Sequence, residues 1–161
     1  MWGDEGKALE ARIAAVVAGG GTKTWYTRVV MVGHSMGGTA ALLCARLATQ
    51  VIAFCPQVCV STCPQLTREE QMLGEDDTLE LLRMRLCRNV RDAHFSGCTV
   101  NVHIGTLAED ERQCAMLPPS SLPDCRKHRH PLASHDLPAL LRASGELAPL
   151  LASAMTKEEE E

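Results

Sequence analysis

The apolar positions of this chain fall into blocks whose period switches between helical spacing and unbroken runs. Residues 4–18 mix Ala, Ile, Val and Leu with charges at helical spacing and stop at Gly19-Gly20-Gly21. This predicts an opening helix, since a run of glycines ends a helix and opens a loop. After Arg28 come Val29, Val30, Met31 and Val32, apolar without alternation and rich in β-branched residues. Such a run predicts a strand buried on both faces, as in a parallel sheet. A glycine-rich turn follows, and residues 39–49 are then almost wholly apolar, as expected of a helix lying deep against a sheet. Val51-Ile52-Ala53-Phe54-Cys55 predicts a second buried strand, stopped by Pro56. Strand, helix and strand in close succession make a βαβ unit, whose crossover is expected to be right-handed.

The second half reads differently. Residues 64–97 are polar, charged and helical, with a capping box at Thr67-Arg68-Glu69-Glu70 and one apolar face marked by Leu79, Leu82, Leu86 and Val90. A third strand is expected over 99–104, ended by Gly105, and a short helix over 109–117, closed by Pro118-Pro119. Residues 126–130, Arg-Lys-His-Arg-His, read as a weak fourth strand, of a charged kind tolerated at sheet edges. Pro138 opens a last helix through Ala143 with Gly145 as its stop, and the apolar turn at 147–151 is expected to be irregular because it contains Pro149. Lys157 and the four glutamates after it read as a solvated, disordered tail. Together these elements predict an α/β three-layer sandwich around a mostly parallel sheet of about four strands. One domain over residues 1–154 and an acidic tail over 155–161 account for the chain.

Composition narrows the field. The chain has 161 residues, 45% of them hydrophobic, which suits one domain with a real core. A formal net charge of -4 and the lack of a concentrated basic patch argue against a nucleic-acid partner. No apolar run approaches the roughly 20 residues that span a bilayer, and no basic-then-apolar leader opens the chain. Of the eight cysteines, none forms a C-x-x-C pair, and Cys44, Cys55 and Cys87 fall inside apolar runs, where a free thiol packs as a small hydrophobe. Reduced, buried cysteines favour a reducing compartment, so a cytoplasmic location is expected.

The glycine-rich turn carries the chemistry. Gly33-His34-Ser35-Met36-Gly37-Gly38 contains the G-x-S-x-G string, which sets a serine on a sharp strand-to-helix turn at the carboxyl end of a sheet. A serine hydroxyl is a weak nucleophile until a base takes its proton and donors await the oxyanion. Glycines at 33 and 37 are expected to leave room for the turn and for close helix packing. Met36 would offer its backbone N–H as an oxyanion donor at a helix N-terminus, whose dipole favours negative charge. A phosphate-binding loop would need a lysine after the glycines, and none follows.

The stretch VVMVGHSMGGTAALLCARLATQVIAFCPQ, residues 29–57, resembles the nucleophile strand, following helix and next strand of the α/β-hydrolase superfamily. The Gly-His-Ser-Met-Gly-Gly form of the elbow is frequent among its esterase-, lipase- and peroxidase-like members. Residues 99–151 resemble the family less specifically, in the order strand, acid-bearing loop, weak strand, histidine and last helix. The resemblance implies a partial α/β-hydrolase core and a serine hydrolase of carboxylic esters or similar acyl bonds, with no cofactor and a small-molecule acyl substrate. It implies Ser35 as nucleophile, an acid after the third strand and a histidine base before the last helix, in the family's order. Asp110 is the first choice for the acid, with Glu109 beside it and Asp124 more distant. His135 is the first choice for the base, with His130 as runner-up and His128 within the weak strand. His34 is read as lining the pocket, and His94 and His103 have no spacing that recommends them.

Cys125, His128, His130 and His135 supply zinc-ligand types in one stretch, but their spacing matches no zinc signature, and Pro56 and Pro64 argue against one helix presenting Cys55, Cys59 and Cys63 together; no metal is expected. In the family the nucleophile strand lies inside the sheet, whereas only about 28 residues precede it here. Strands before it, and the loop bearing a second oxyanion donor, are therefore expected to be absent, and one missing donor costs a few kcal/mol of transition-state stabilisation. Val29, Val30, Met31 and Val32 would then form an apolar edge, which invites a homodimer or a partner chain. A non-catalytic interaction domain or fragment is the competing function. Residues 64–97 occupy the family's usual place for a lid over the pocket.

Overall fold

The computed structural model describes residues 4–19, 26, 28–58, 76–117 and 125–156. Their elements are α1 (Asp4–Val17), β1 (Val30–His34), α2 (Met36–Leu43), a 3-10 turn (Ala45–Leu47), β2 (Gln50–Phe54), α3 (Asp76–Phe95), β3 (Thr99–Ile104), α4 (Ala108–Ala115), β4 (Cys125–Arg129), α5 (Leu137–Ala143) and α6 (Leu147–Met155). The strands form a four-stranded sheet in the order β1-β2-β3-β4, and each neighbouring pair runs parallel. The register aligns His34 with Phe54, Phe54 with His103, and His103 with His128.

Side chains alternate across this sheet, and each face has its own cover. On one face Val51 and Ala53 of β2 and Val100, Val102 and Ile104 of β3 pack with α2, α3 and α4 through residues such as Leu42, Leu86 and Cys114. On the other face Ile52 and Phe54 pack against Leu137 and Leu141 of α5 and Ala154 of α6. The fold is thus an α/β three-layer arrangement, and burial on both faces explains why β2 reads as a continuous apolar run, whereas β3 alternates Val100, Val102 and Ile104 with the buried polar Asn101 and His103. Each fully buried Leu or Ile contributes on the order of 1.5–3 kcal/mol relative to leaving it in water. Glu10 of α1 is an exception within this apolar packing: it is only 7% exposed and accepts hydrogen bonds from Arg46 and Arg85, tying α1 to the 3-10 turn and to α3.

Several elements depart from the sequence expectation. The helix after the elbow starts at Met36 and ends at Leu43, and the 3-10 turn carries the chain on to β2. Residues 147–155 form a regular helix although Pro149 lies within it. Proline is tolerated there because it sits in the first turn, where its missing N–H has no intrahelical carbonyl to meet. The described part of the 64–97 segment is α3, whose Leu86, Val90 and Ala93 are buried against the sheet layer. Asn89 also donates from Nδ2 to the Leu43 carbonyl of α2. From residue 76 onward the segment is therefore a core-layer helix rather than a lid, while residues 64–75, with the capping box, lie outside the described residues. Six cysteines (Cys44, Cys55, Cys87, Cys98, Cys114 and Cys125) are free thiols, all but Cys87 buried; Cys59 and Cys63 lie outside the described residues. Among the described residues no helix is long and apolar enough to cross a membrane. Residues 157–161 of the acidic tail are likewise outside them.

The junction from β1 to α2 depends on glycine, but not at both positions the motif names. A Cβ at Gly33 would lie 2.1 Å from the Gly37 carbonyl oxygen, and one at Gly38 would press to 3.3 Å against Gly33, Phe54 and Pro56. A Cβ at Gly37 meets nothing within 4 Å among the described residues. The close approach of helix to strand therefore rests on Gly33 and Gly38, and Gly37 is spatially free. We expect Gly33→Ala to cost about 3 kcal/mol of stability or more by urea unfolding, as overpacking against backbone that cannot yield. Gly37→Ala is expected to change it by less than about 1 kcal/mol; equal losses would contradict this assignment.

Candidate active site

Three chain segments reach the carboxyl end of the sheet, where open α/β sheets place their ligands. The first is the turn at Ser35. Val32 and Gly33 lead out of β1, and Ser35 then adopts φ 54° and ψ -123°, a left-handed conformation that costs a non-glycine residue roughly 1–3 kcal/mol. Its N–H donates to the Phe54 carbonyl at 2.9 Å, so the strained turn is pinned to the end of β2. Met36 opens α2, and the N–H groups of a helix's first turn have no intrahelical acceptor. The Met36 N–H, next along the chain after Ser35, thus lies at the positive end of the helix dipole.

The second segment follows β3. Gly105 passes beneath the β4–α5 loop so closely that a Cβ there would lie 2.3 Å from the Leu132 carbonyl oxygen. The chain then enters α4, whose first turn carries Glu109, Asp110 and Glu111. Adjacent residues on a helix point in different directions, and here they part company. Glu109 turns to Arg112 and Gln113 within its own helix. Asp110 is buried, with a side chain 3% exposed, and points to His135.

The third segment is the loop between β4 and α5. Asp136 caps α5, accepting from the Ala139 N–H, and Pro138 occupies the first turn. Just before the cap, His135 receives support from the elbow. His34 Nε2 donates to the His135 carbonyl at 2.8 Å, and the two rings lie 5.1 Å apart. His34 therefore braces the loop, a more specific role than lining a pocket.

These segments meet in one hydrogen-bonded row. His135 Nδ1 lies 2.7 Å from Asp110 Oδ1, and His135 Nε2 lies 3.0 Å from Ser35 Oγ. A carboxylate can only accept, so Nδ1 carries the ring proton and Nε2 is left to accept from the serine hydroxyl. This is the arrangement in which an imidazole can draw a proton from an alcohol while a buried carboxylate holds its tautomer. Asp124 lies outside the described residues.

Three of the remaining histidines, His103, His128 and His130, are drawn together elsewhere. The register of β3 and β4 stacks His103 on His128 with ring centroids 4.4 Å apart, and His130 Nε2 lies 3.0 Å from His103 Nδ1. His128 Nε2 donates in turn to Asn101 Oδ1 at 3.0 Å. His130, the runner-up for the base, thus belongs to this cluster. Cys125 points to the opposite face of β4, among Cys114 and Leu117, so Cys125, His128, His130 and His135 do not converge. The cluster lines a cavity of about 610 Å³ together with Arg28, Arg126 and Thr156. The sequence offered no signal for it, because it exists only through strand register.

Comparison with models of known protein families finds no match for this chain, and no curated protein matches it.

The histidine cluster has a consequence for stability. Burial, and then the charges of His128 and His130, push the His103 imidazole down from 6.5 to about 3. Burial lowers His128 too, with His130 and Arg126 adding to the effect. Between pH 6.5 and about 3 the unfolded chain holds a proton on residue 103 that the folded chain refuses. Stability therefore falls as pH drops through that window and levels off below it. We expect urea unfolding of the wild type to lose up to about 1.4 kcal/mol per pH unit more than His103→Gln across this range. Parallel pH profiles for the two proteins would contradict the assignment.

Proposed function

We propose that this chain is a serine hydrolase of the α/β-hydrolase kind, cleaving a carboxylic ester or a similar acyl bond. The observation that carries the reading is His135, held between Ser35 Oγ and the buried Asp110 carboxylate. The strained φ at Ser35 supports it, since a non-glycine residue is held there only when the surroundings over-determine the turn. In the proposed cycle Ser35 Oγ attacks the acyl carbon while its proton passes to His135 Nε2. The carbonyl electron pair moves to oxygen, and the Met36 N–H stabilises the charge. Collapse of the tetrahedral species expels the leaving group, which takes the proton from His135 and leaves an acyl-serine. Water, deprotonated by His135, attacks that ester, and the acid departs as Ser35 recovers its proton. Throughout, Asp110 accepts from Nδ1 and stabilises the imidazolium without taking the proton. No cofactor enters this chemistry. Free thiols at all six described cysteines support a reducing compartment such as the cytoplasm.

A second reading, a hydrolase-like interaction domain, draws on one observation. β1 lies at the margin of the sheet, paired to β2, and Val32 on it is 48% exposed. An apolar sheet margin invites a second strand, from another copy or a partner.

Turnover of short-chain p-nitrophenyl esters separates the two. On the hydrolase reading, Ser35→Ala and His135→Ala abolish turnover, Asp110→Asn lowers kcat by about 10⁴-fold, and His130→Ala leaves it unchanged. A folded chain whose turnover is nil, or is the same in Ser35→Ala, would refute that reading. If such a chain also sediments as a dimer that Val32→Lys dissociates, the interaction reading stands in its place.

A further inference from the structure

Cys55 is the residue that follows β2, and it takes φ 43°, the second positive φ among the described non-glycine residues after that of Ser35. Such a conformation is held at a cost of roughly 1–3 kcal/mol and marks a position where the side chain has work to do. Its backbone N–H donates to the His103 carbonyl at 2.8 Å, which fixes the turn to the end of β3. The side chain is 1% exposed, and its sulfur, an Asp110 carboxylate oxygen and a His135 ring nitrogen all lie within 4.8 Å of one another. Cys55 therefore sits directly behind the Ser35–His135–Asp110 row.

Asp110 needs something from that position. Its Oδ1 accepts from His135, but Oδ2 is buried and stands without a hydrogen-bond partner. An unpaired buried carboxylate oxygen is costly, and a carboxylate held at one oxygen is free to swing about that bond. The thiol is a rotor, so its proton can turn to face Oδ2. Burial first, and then the Asp110 charge, push the thiol up to about 12, so at neutral pH the proton is present to be donated. The same three side chains are ligand types for a soft metal, but a metal binds the thiolate, and this environment opposes its formation.

We propose that Cys55 is a positioning residue whose thiol donates to Asp110 Oδ2, setting the carboxylate plane toward His135. One small side chain would then fasten the acid to the end of β2. The role in turnover rests on the hydrolase reading; the hydrogen bond itself does not.

Infrared spectroscopy of the S–H stretch tests the bond on the full chain. The Cys55 band is isolated as the difference between wild type and Cys55→Ala, or Cys55→Ser should the alanine variant fail to fold. A donating thiol gives a band shifted to lower frequency, which moves back up in Asp110→Asn because an amide is a weaker acceptor. A band at the free-thiol position, unmoved by Asp110→Asn, overturns the proposal. Kinetics with the p-nitrophenyl ester then test positioning. Cys55→Ala is expected to lower kcat by roughly 10–100-fold with KM within about twofold, and Cys55→Ser, which keeps a donor, to recover most of it. A folded serine variant as impaired as the alanine one, or an alanine variant as fast as wild type, overturns the role. A wild type without Ser35-dependent turnover refutes the hydrolase reading alone, and the infrared result still decides the bond.

Discussion

The backbone of the elbow is packed against itself so closely that no side chain fits at its base. A Cβ at Gly33 would stand 2.1 Å from the Gly37 carbonyl oxygen, far inside any permissible contact. That proximity lets β1 run directly into α2, and it forces Ser35, at the apex, into φ 54°. The strain is held by the β2 ladder, since the Ser35 N–H is tied to Phe54, and by α2 behind it, buried at Gly38, Thr39 and Ala41 through Leu43. Remove the close approach and the serine hydroxyl loses its fixed position above the sheet.

The other two members of the row are aimed by the same ladder, one strand further along at each step. Cys55 N–H reaches the His103 carbonyl, His130 N–H reaches the Ile104 carbonyl, and Thr106 N–H reaches back to the Leu132 carbonyl. Each strand end is thus bonded to the next, and the loops that carry Asp110 and His135 leave a common rigid platform. Polar side chains complete the platform from below. Thr39 exchanges hydrogen bonds with the backbone of Gln57, and buried Gln113 accepts from the Val58 N–H, so the chain after β2 is fastened to both α2 and α4. A geometry good to a few tenths of an ångström, which proton transfer requires, comes from regular elements rather than from free loops.

How much of this the sequence disclosed follows from where each signal resides. β2 was legible because burial on both faces leaves an unbroken apolar run, and the elbow because its glycines and serine are contiguous. Asp110 could not be told from Glu109 in a string of letters, since helix phase decides which of two neighbours faces His135 and which faces Arg112. The histidine cluster was hidden because it is assembled across β3 and β4 from residues 25 and more apart, through a register that no local pattern reveals. Cys55 was hidden for another reason: in sequence it is one more small apolar residue ending a strand, and only its positive φ and its neighbours give it a role. Pro149 misled in the opposite direction, because a proline disrupts a helix only beyond the first turn.

The proposed chemistry requires that Ser35 be activated by the row behind it. The direct measurement is exposure of the folded chain to a fluorophosphonate, followed by intact mass and peptide mapping of the adduct. Activation predicts a single phosphonylation, located on Ser35, that disappears in His135→Ala although the serine remains. Absence of the adduct in the folded wild type, or undiminished labelling in His135→Ala, would contradict it.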